Sequence, residues 1–236
     1  MEDGKHRVID RESLRDKRGV FADRAEAGRI LAEMLAEDYR GSGALVMAVP
    51  AGGMPVAVEV AGGLSLELDV AVASKLTPPQ NSEVGYGAVA WDGTFRMNRP
   101  LLRALGLSDH QVQETLVKTN RKVHRRTEHL RGRRDWPDMS GRTIVLVDDG
   151  LATGFTIMVA AEAVHNAGAS DVVVAVPTAH GDAARRLTTD VRTVYVANLR
   201  SGATFAVADA YRRWRDIDED EAARILRRFR RTQPRE

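Results

Sequence analysis

The residues with the clearest chemical potential lie in one run, Ile144-Val145-Leu146-Val147-Asp148-Asp149-Gly150-Leu151-Ala152-Thr153-Gly154-Phe155-Thr156. Four apolar residues of strand type deliver two adjacent carboxylates to the carboxyl end of a buried strand, where open α/β folds bind their ligands. A short loop with two hydroxyls follows, and a helix is predicted to begin at Thr156. Backbone N–H groups at a helix N-terminus, together with the Thr153 and Thr156 hydroxyls, make a cradle for a monophosphate. Gly154 lets the backbone come close without a Cβ in the way. Adjacent carboxylates suit vicinal hydroxyls. A ribose 5-phosphate carries both features at a matching separation.

Such a run needs elements that hold it. Apolar runs of strand length at 44–49, 69–73, 143–147, 172–176 and 191–196 predict strands buried on both faces. Apolar residues at three-to-four spacing from Phe21, at 54–61 and at 156–167 predict helices between them, with a short helix at 182–187. Ser108 with Gln111 forms a capping-box pattern ahead of a long helix running to Arg131. The Asp92-Gly93 pair predicts a hairpin between 85–91 and 94–97. Pro177 is read as the stop of the 172–176 strand. A final helix starts on Asp218-Glu219-Asp220-Glu221 and ends in a basic segment, as the helix dipole favours. Strands alternating with helices predict an α/β protein, a Rossmann-like, mainly parallel sheet flanked by helices.

Composition narrows the classes. Of 236 residues, 43% are hydrophobic and 29% charged, with a net charge of +2 and no cysteine. The absence of cysteine excludes disulfides, thiolate metal sites and cysteine nucleophiles, and fits a reducing compartment; the expected location is cytoplasmic. No stretch approaches the roughly 18 consecutive apolar residues that span a bilayer, and the first residues lack the apolar core of a secretory leader. Residues 1–20 are read as a charged, loosely ordered N-terminal arm, and 21–236 as one domain.

The 144–156 run resembles the signature of type I phosphoribosyltransferases. Weaker landmarks of the same resemblance are Phe21-Ala22-Asp23-Arg24, the Pro50-Ala51-Gly52-Gly53-Met54-Pro55 turn, Ser74-Lys75-Leu76, Gly87-Ala88 and Ala175-Val176-Pro177, which together resemble a bacterial and archaeal branch of that family. The resemblance implies an enzyme that uses 5-phosphoribosyl-1-pyrophosphate to modify a nucleobase or similar nitrogen acceptor and releases pyrophosphate. It implies that Asp148 and Asp149 contact the ribose hydroxyls, and that Ala152, Thr153, Gly154, Phe155 and Thr156 hold the 5-phosphate. Ala51, Gly52, Gly53 and Lys75 would meet the pyrophosphate, so Asp148, Asp149 and Lys75 are the implied catalytic set. Mg²⁺ is implied as a cofactor carried on the pyrophosphate, with no direct protein ligand expected. A mobile loop from Leu76 to Tyr86 would close over the site, and a small hood formed from the chain ends, including 200–236, would cover the acceptor. Phe205, Tyr211 and Trp214 are candidates to line that hood or to pack the core, and His180 is a candidate neighbour of the site. A homodimer through the long helix is a further implication. The chain departs from the pattern in carrying Ala51 and Ser74 where the branch usually shows Arg, and Phe155 where a small residue is usual. Ala152 replaces the Asp that serves the purine ring in hypoxanthine-guanine enzymes.

A second class is a regulatory protein that senses phosphoribosyl pyrophosphate and binds RNA or DNA, with little or no catalysis. Lys118, Arg121, Lys122, Arg125 and Arg126 on the long helix would be its nucleic-acid surface. A P-loop nucleotide hydrolase lacks its Gly-x-x-x-x-Gly-Lys-Ser/Thr motif here, and a dinucleotide-binding dehydrogenase lacks its glycine fingerprint.

Overall fold

The computed structural model of the chain describes residues 7–78, 85–132 and 134–232. Six strands form one fully parallel sheet: β1 (Arg7–Asp10), β2 (Leu45–Ala48), β3 (Glu67–Val70), β7 (Thr143–Val147), β8 (Asp171–His180) and β9 (Thr193–Arg200). Their order across the sheet is β1-β9-β8-β7-β2-β3. The inner strands are continuous apolar runs because helices cover both faces. Three further strands, β4 (Ala73–Leu76), β5 (Gly87–Ala90) and β6 (Phe95–Met97), make a small antiparallel sheet. The flanking helices are α1 (Arg24–Tyr39), α2 (Gly53–Leu64), α3 (Arg99–Ala104), α4 (Asp109–Arg131), α5 (Phe155–Asn166), α6 (Gly181–Leu187) and α7 (Glu219–Thr232). Among the described residues, no helix is long and apolar enough to cross a membrane.

Local signals explain most boundaries. Asp23 caps α1 by accepting from the N–H groups of Ala25 and Glu26. The capping box at the start of α4 is complete: the Ser108 hydroxyl accepts from Gln111 N–H, and the Gln111 side chain accepts from Ser108 N–H. The Asp92 side chain accepts from Thr94 N–H at 2.9 Å and Gly93 has a φ of 89°, which closes the turn between β5 and β6.

The structure corrects four expectations. Residues 7–10, expected in a loose arm, are the edge strand β1, paired in parallel with β9 from Arg7↔Thr193 to Asp10↔Val196. The apolar run 69–73 is not one strand. Its first half ends β3, where Ala71 N–H still donates to Ala48 O, and its second half opens β4 in the other sheet. Burial on both sides of the bend keeps the run apolar, so periodicity does not show the break. Pro177 does not stop β8. The register passes from Val176↔Val196 to Thr178↔Asn198, and the ladder to β7 has already ended at Val147↔Ala175. The missing N–H of proline therefore interrupts little. Likewise β9 continues through the buried Asn198, whose carboxamide oxygen accepts from the Thr178 hydroxyl at 2.8 Å and whose NH₂ reaches Lys17 O at 3.3 Å. The implied closing loop 76–86 falls largely on residues 79–84, which lie outside the described residues.

Asp23 offers a check on α1, which carries a site residue. Its carboxyl is held below the usual range by the Glu26 N–H and by Arg213. A depressed folded pKa adds stability that is present above the unfolded value and lost as pH falls through the folded one. Asp23→Ala should cost about 1 kcal/mol at pH 7, and the difference from the parent protein should shrink toward pH 3 in thermal unfolding.

Candidate functional site

The site forms where β2 and β7 stop together. The two strands pair with Ala48 opposite Val147, and Val49 N–H still donates to Val147 O at 2.8 Å. Beyond that level β2 turns through Pro50–Gly53 into α2, while β7 runs into Asp148 and Asp149. The two turns meet without space to spare. A Cβ at Gly52 would lie 2.1 Å from Asp149 Oδ2; one at Gly53 would lie 2.7 Å from Val147 O and 2.9 Å from Asp148 Cα. The Pro50–Ala51 peptide is cis. The N–H groups of Ala51 and Gly52 have no acceptor among the described residues.

Past the acidic pair, Leu151 N–H donates to Thr178 O and His180 N–H donates to Leu151 O, which anchor the loop on β8. Gly154 then adopts a φ of 83° at the N-cap of α5. Glycine is required there, since a left-handed residue leads directly into the helix. No side chain caps this helix, and the N–H groups from Ala152 to Thr156 have no acceptor among the described residues. Ala152 and Thr153 are exposed, and Phe155 and Thr156 are half-buried. A row of free N–H groups at a helix N-terminus, beside two hydroxyls, is chemically an anion cradle.

Arg24 organises the acidic pair. Its Nε and Nη2 donate to Asp149 Oδ2 at 2.9 and 2.8 Å, and Nη1 donates to Arg215 O at 2.8 Å. The pair is largely buried, with side-chain exposures of 8% and 16%. The guanidinium carbon lies 3.8 Å from the centre of the Trp214 ring, a stacked cation–π contact. Tyr211 completes the wall, its hydroxyl donating to Asp149 O at 2.6 Å. Burial and the neighbouring Asp149 carboxylate push the Asp148 carboxyl well above the ordinary range. Burial also raises Asp149, against the opposing pull of Arg24.

Gly52 and Gly53 abut the acidic pair, and Ala51 belongs to the same turn. Lys75 lies inside β4 of the small sheet, opposite Ala88, with an exposed side chain. Ser74 is buried and accepts from Arg126 Nη1 at 2.9 Å. Arg126 also reaches Pro50 O, so it faces the turn and not the nucleic-acid surface assigned to it. His180 accepts from Asp182 N–H and packs edge-on to Phe205. Tyr211 is buried in the core, whereas Trp214 remains 38% exposed. Sequence reasoning missed the roles of Arg24 and Arg126. Arg24 stands within the Phe21–Arg24 landmark, but nothing local marks it as the partner of an Asp 125 residues away.

Two substitutions test this geometry. The raised Asp148 pKa means that folding favours the protonated acid. That preference is fully met below the unfolded pKa and lost as pH rises through the folded one. Asp148→Asn removes the buried charge and keeps an oxygen for Asp149 N–H, which donates to Asp148 Oδ1 at 2.8 Å. The melting temperature should therefore rise near pH 8, by about 2–4 °C for each kcal/mol relieved, with no gain near pH 3. Gly53→Ala should destabilise by about 1–3 kcal/mol in urea titration, because its Cβ meets backbone atoms that cannot swing aside.

A family model described as a phosphoribosyl transferase domain matches residues 22–198. Two Mycobacterium tuberculosis proteins, from strains CDC 1551 and H37Rv and each provisionally named a phosphoribosyl transferase, are 36% identical over 209 residues, covering 89% of this chain. The chain spans about half the length of these curated relatives, 47% of each. The crystal structure of TT1426 from Thermus thermophilus is 32% identical, covers 89% of this chain and 98% of that one, and superposes with a TM-score of 0.72. The parallel sheet, the acidic pair at its carboxyl edge and the matched span agree: this chain belongs to the phosphoribosyl transferase domain family.

Proposed function

We propose that this protein binds 5-phosphoribosyl-1-pyrophosphate and transfers its phosphoribosyl group to a nucleobase or similar nitrogen acceptor, with release of pyrophosphate. One observation carries the reading. Two sets of backbone N–H groups without an acceptor among the described residues, at Ala51 and Gly52 and in the 152–156 loop, flank the paired carboxylates Asp148 and Asp149. A ligand that is anionic at both ends and hydroxylated in the middle matches that order.

In this reading Ala152, Thr153, Gly154, Phe155 and Thr156 hold the 5-phosphate through backbone N–H groups and two hydroxyls. Asp148 and Asp149 accept from the ribose hydroxyls, and Ala51, Gly52, Gly53 and Lys75 meet the pyrophosphate. Arg24 keeps Asp149 fixed and offsets its charge. The acceptor nitrogen forms a bond to ribose C1 and gives up its proton to solvent, while the C1–oxygen electron pair departs with pyrophosphate. Positioning and charge stabilisation supply the rate. Segment 200–232, with Tyr211 and Trp214 packed beside the acidic pair, serves as the cover for the acceptor.

In this reading Mg²⁺ comes with the pyrophosphate, since the ion prefers phosphate oxygens and water, and no direct protein ligand is assigned to it: Asp149 Oδ2 already accepts from Arg24, and the described residues hold no cluster of three metal-ligating side chains. The ion would neutralise charge on the departing pyrophosphate; the protein's own part is to hold the acidic pair and the turn at fixed separation.

A second reading, a phosphoribosyl-pyrophosphate sensor that binds RNA or DNA, is supported by the exposed side chains of Lys118, Arg121, Lys122 and Arg125 on α4. Nucleic-acid retention that falls steeply with salt, without pyrophosphate release from any nucleobase, would favour it.

Asp148→Asn is the direct test, because it leaves the Arg24–Asp149 pair intact. The variant should stay folded and lose at least about tenfold in affinity for phosphoribosyl pyrophosphate by calorimetry. Unchanged affinity in the folded variant would sink the assignment.

A further inference from the structure

The turn from Pro50 to Gly53 contains no charged side chain, yet in the reading above it faces a ligand group of several negative charges. Arg24 is committed to Asp149, which leaves the exposed Lys75 on β4 as the cation assigned to that group so far. A third cation comes from a helix far away in sequence. Arg126, on α4, lays its guanidinium between the turn and the small sheet, with its side chain only 13% exposed.

A guanidinium has five N–H donors in a fixed fork. Arg126 Nη1 donates to Ser74 Oγ at 2.9 Å and to Ala73 O at 3.2 Å, and Nη2 donates to Pro50 O at 3.1 Å. The second Nη2 hydrogen has no acceptor among the described residues. Nε makes no hydrogen bond of good geometry but lies 2.6 Å from Glu219 Oε1, at the start of α7. One planar group thus ties the carbonyl of the Pro50–Ala51 peptide to the first residues of β4, and shares its charge with one half-exposed carboxylate.

We propose that Arg126 is the positioning residue of the pyrophosphate subsite. It fixes the Pro50–Gly53 turn against β4 and brings to that turn the positive charge its own sequence lacks. Glu219 attenuates that charge. The inference rests on the functional reading above and adds to it a residue outside the expected site set. Lysine cannot replace the fork, since a point charge does not span acceptors on two segments.

The test is calorimetry with Mg²⁺ on the intact chain and on Arg126→Gln, Arg126→Lys and Glu219→Gln. The ligands are inorganic pyrophosphate, phosphoribosyl pyrophosphate and ribose 5-phosphate. Arg126→Gln should weaken pyrophosphate and phosphoribosyl pyrophosphate by about tenfold or more and leave ribose 5-phosphate within about twofold. Arg126→Lys should recover only part of the loss. Glu219→Gln should tighten pyrophosphate by about two- to fivefold, which a purely structural arginine would not produce. Unchanged pyrophosphate affinity in a folded Arg126→Gln variant would overturn the proposal, as would an equal loss of ribose 5-phosphate. An unmodified protein that binds none of the three ligands would instead remove the functional reading, and this inference with it.

Discussion

Two parallel strands of the central sheet end at the same level, and everything at the site depends on the contact between the turns that follow them. With Ala48 opposite Val147, the chain must leave both strands within one residue of each other. Two consecutive glycines allow the Pro50–Gly53 turn to lie against Asp148 and Asp149, where any side chain would strike a carboxylate or the backbone. The sheet sets the height of the site, and the glycines set its width. Helices then supply what the turns lack: α5 its free N-terminal N–H groups, α1 the arginine that holds Asp149, and α4 the arginine that holds the turn.

Charge at the carboxyl edge is balanced across long sequence distances. Two adjacent carboxylates in a half-buried site repel one another and resist ionisation. The Arg24 pair offsets this for Asp149 and leaves Asp148 as the acid that burial strains most. Such a pair contributes little net stability, because desolvation consumes much of the Coulombic gain. Its structural effect is directional. Stacked on Trp214 and bonded to Arg215 O, Arg24 also draws the 211–215 segment over the acidic pair.

Much of this was legible in sequence where a local rule applied. The strand at 143–147, the acids after it, the loop glycine and the capping box of the long helix all follow from apolar runs, turn residues and caps. The misjudged places share one physical cause: tertiary burial removes the signals that local rules use. An apolar run spans the β3–β4 bend because both strands are buried. Asn198 lies inside β9 because Thr178 and backbone carbonyls satisfy it. Arg126 reads as one more cation on a basic helix until α4 is docked, when its position in the helix turns it toward Pro50. Arg24 and Asp149 meet only once the sheet has formed.

The pairing of β1 with β9 also bears on how the chain assembles during synthesis. Arg7 finds its partner only at Thr193, so at translation rates of about 5–20 residues per second the first strand waits roughly ten to forty seconds for its neighbour. Until then β1 has no partner in the sheet, and a β9 not yet paired with β1 presents an open ladder to any extended peptide nearby. The pairing that covers this side of β9 thus joins segments made far apart in time, and a nascent chain is open to mispairing at β9 before β1 docks.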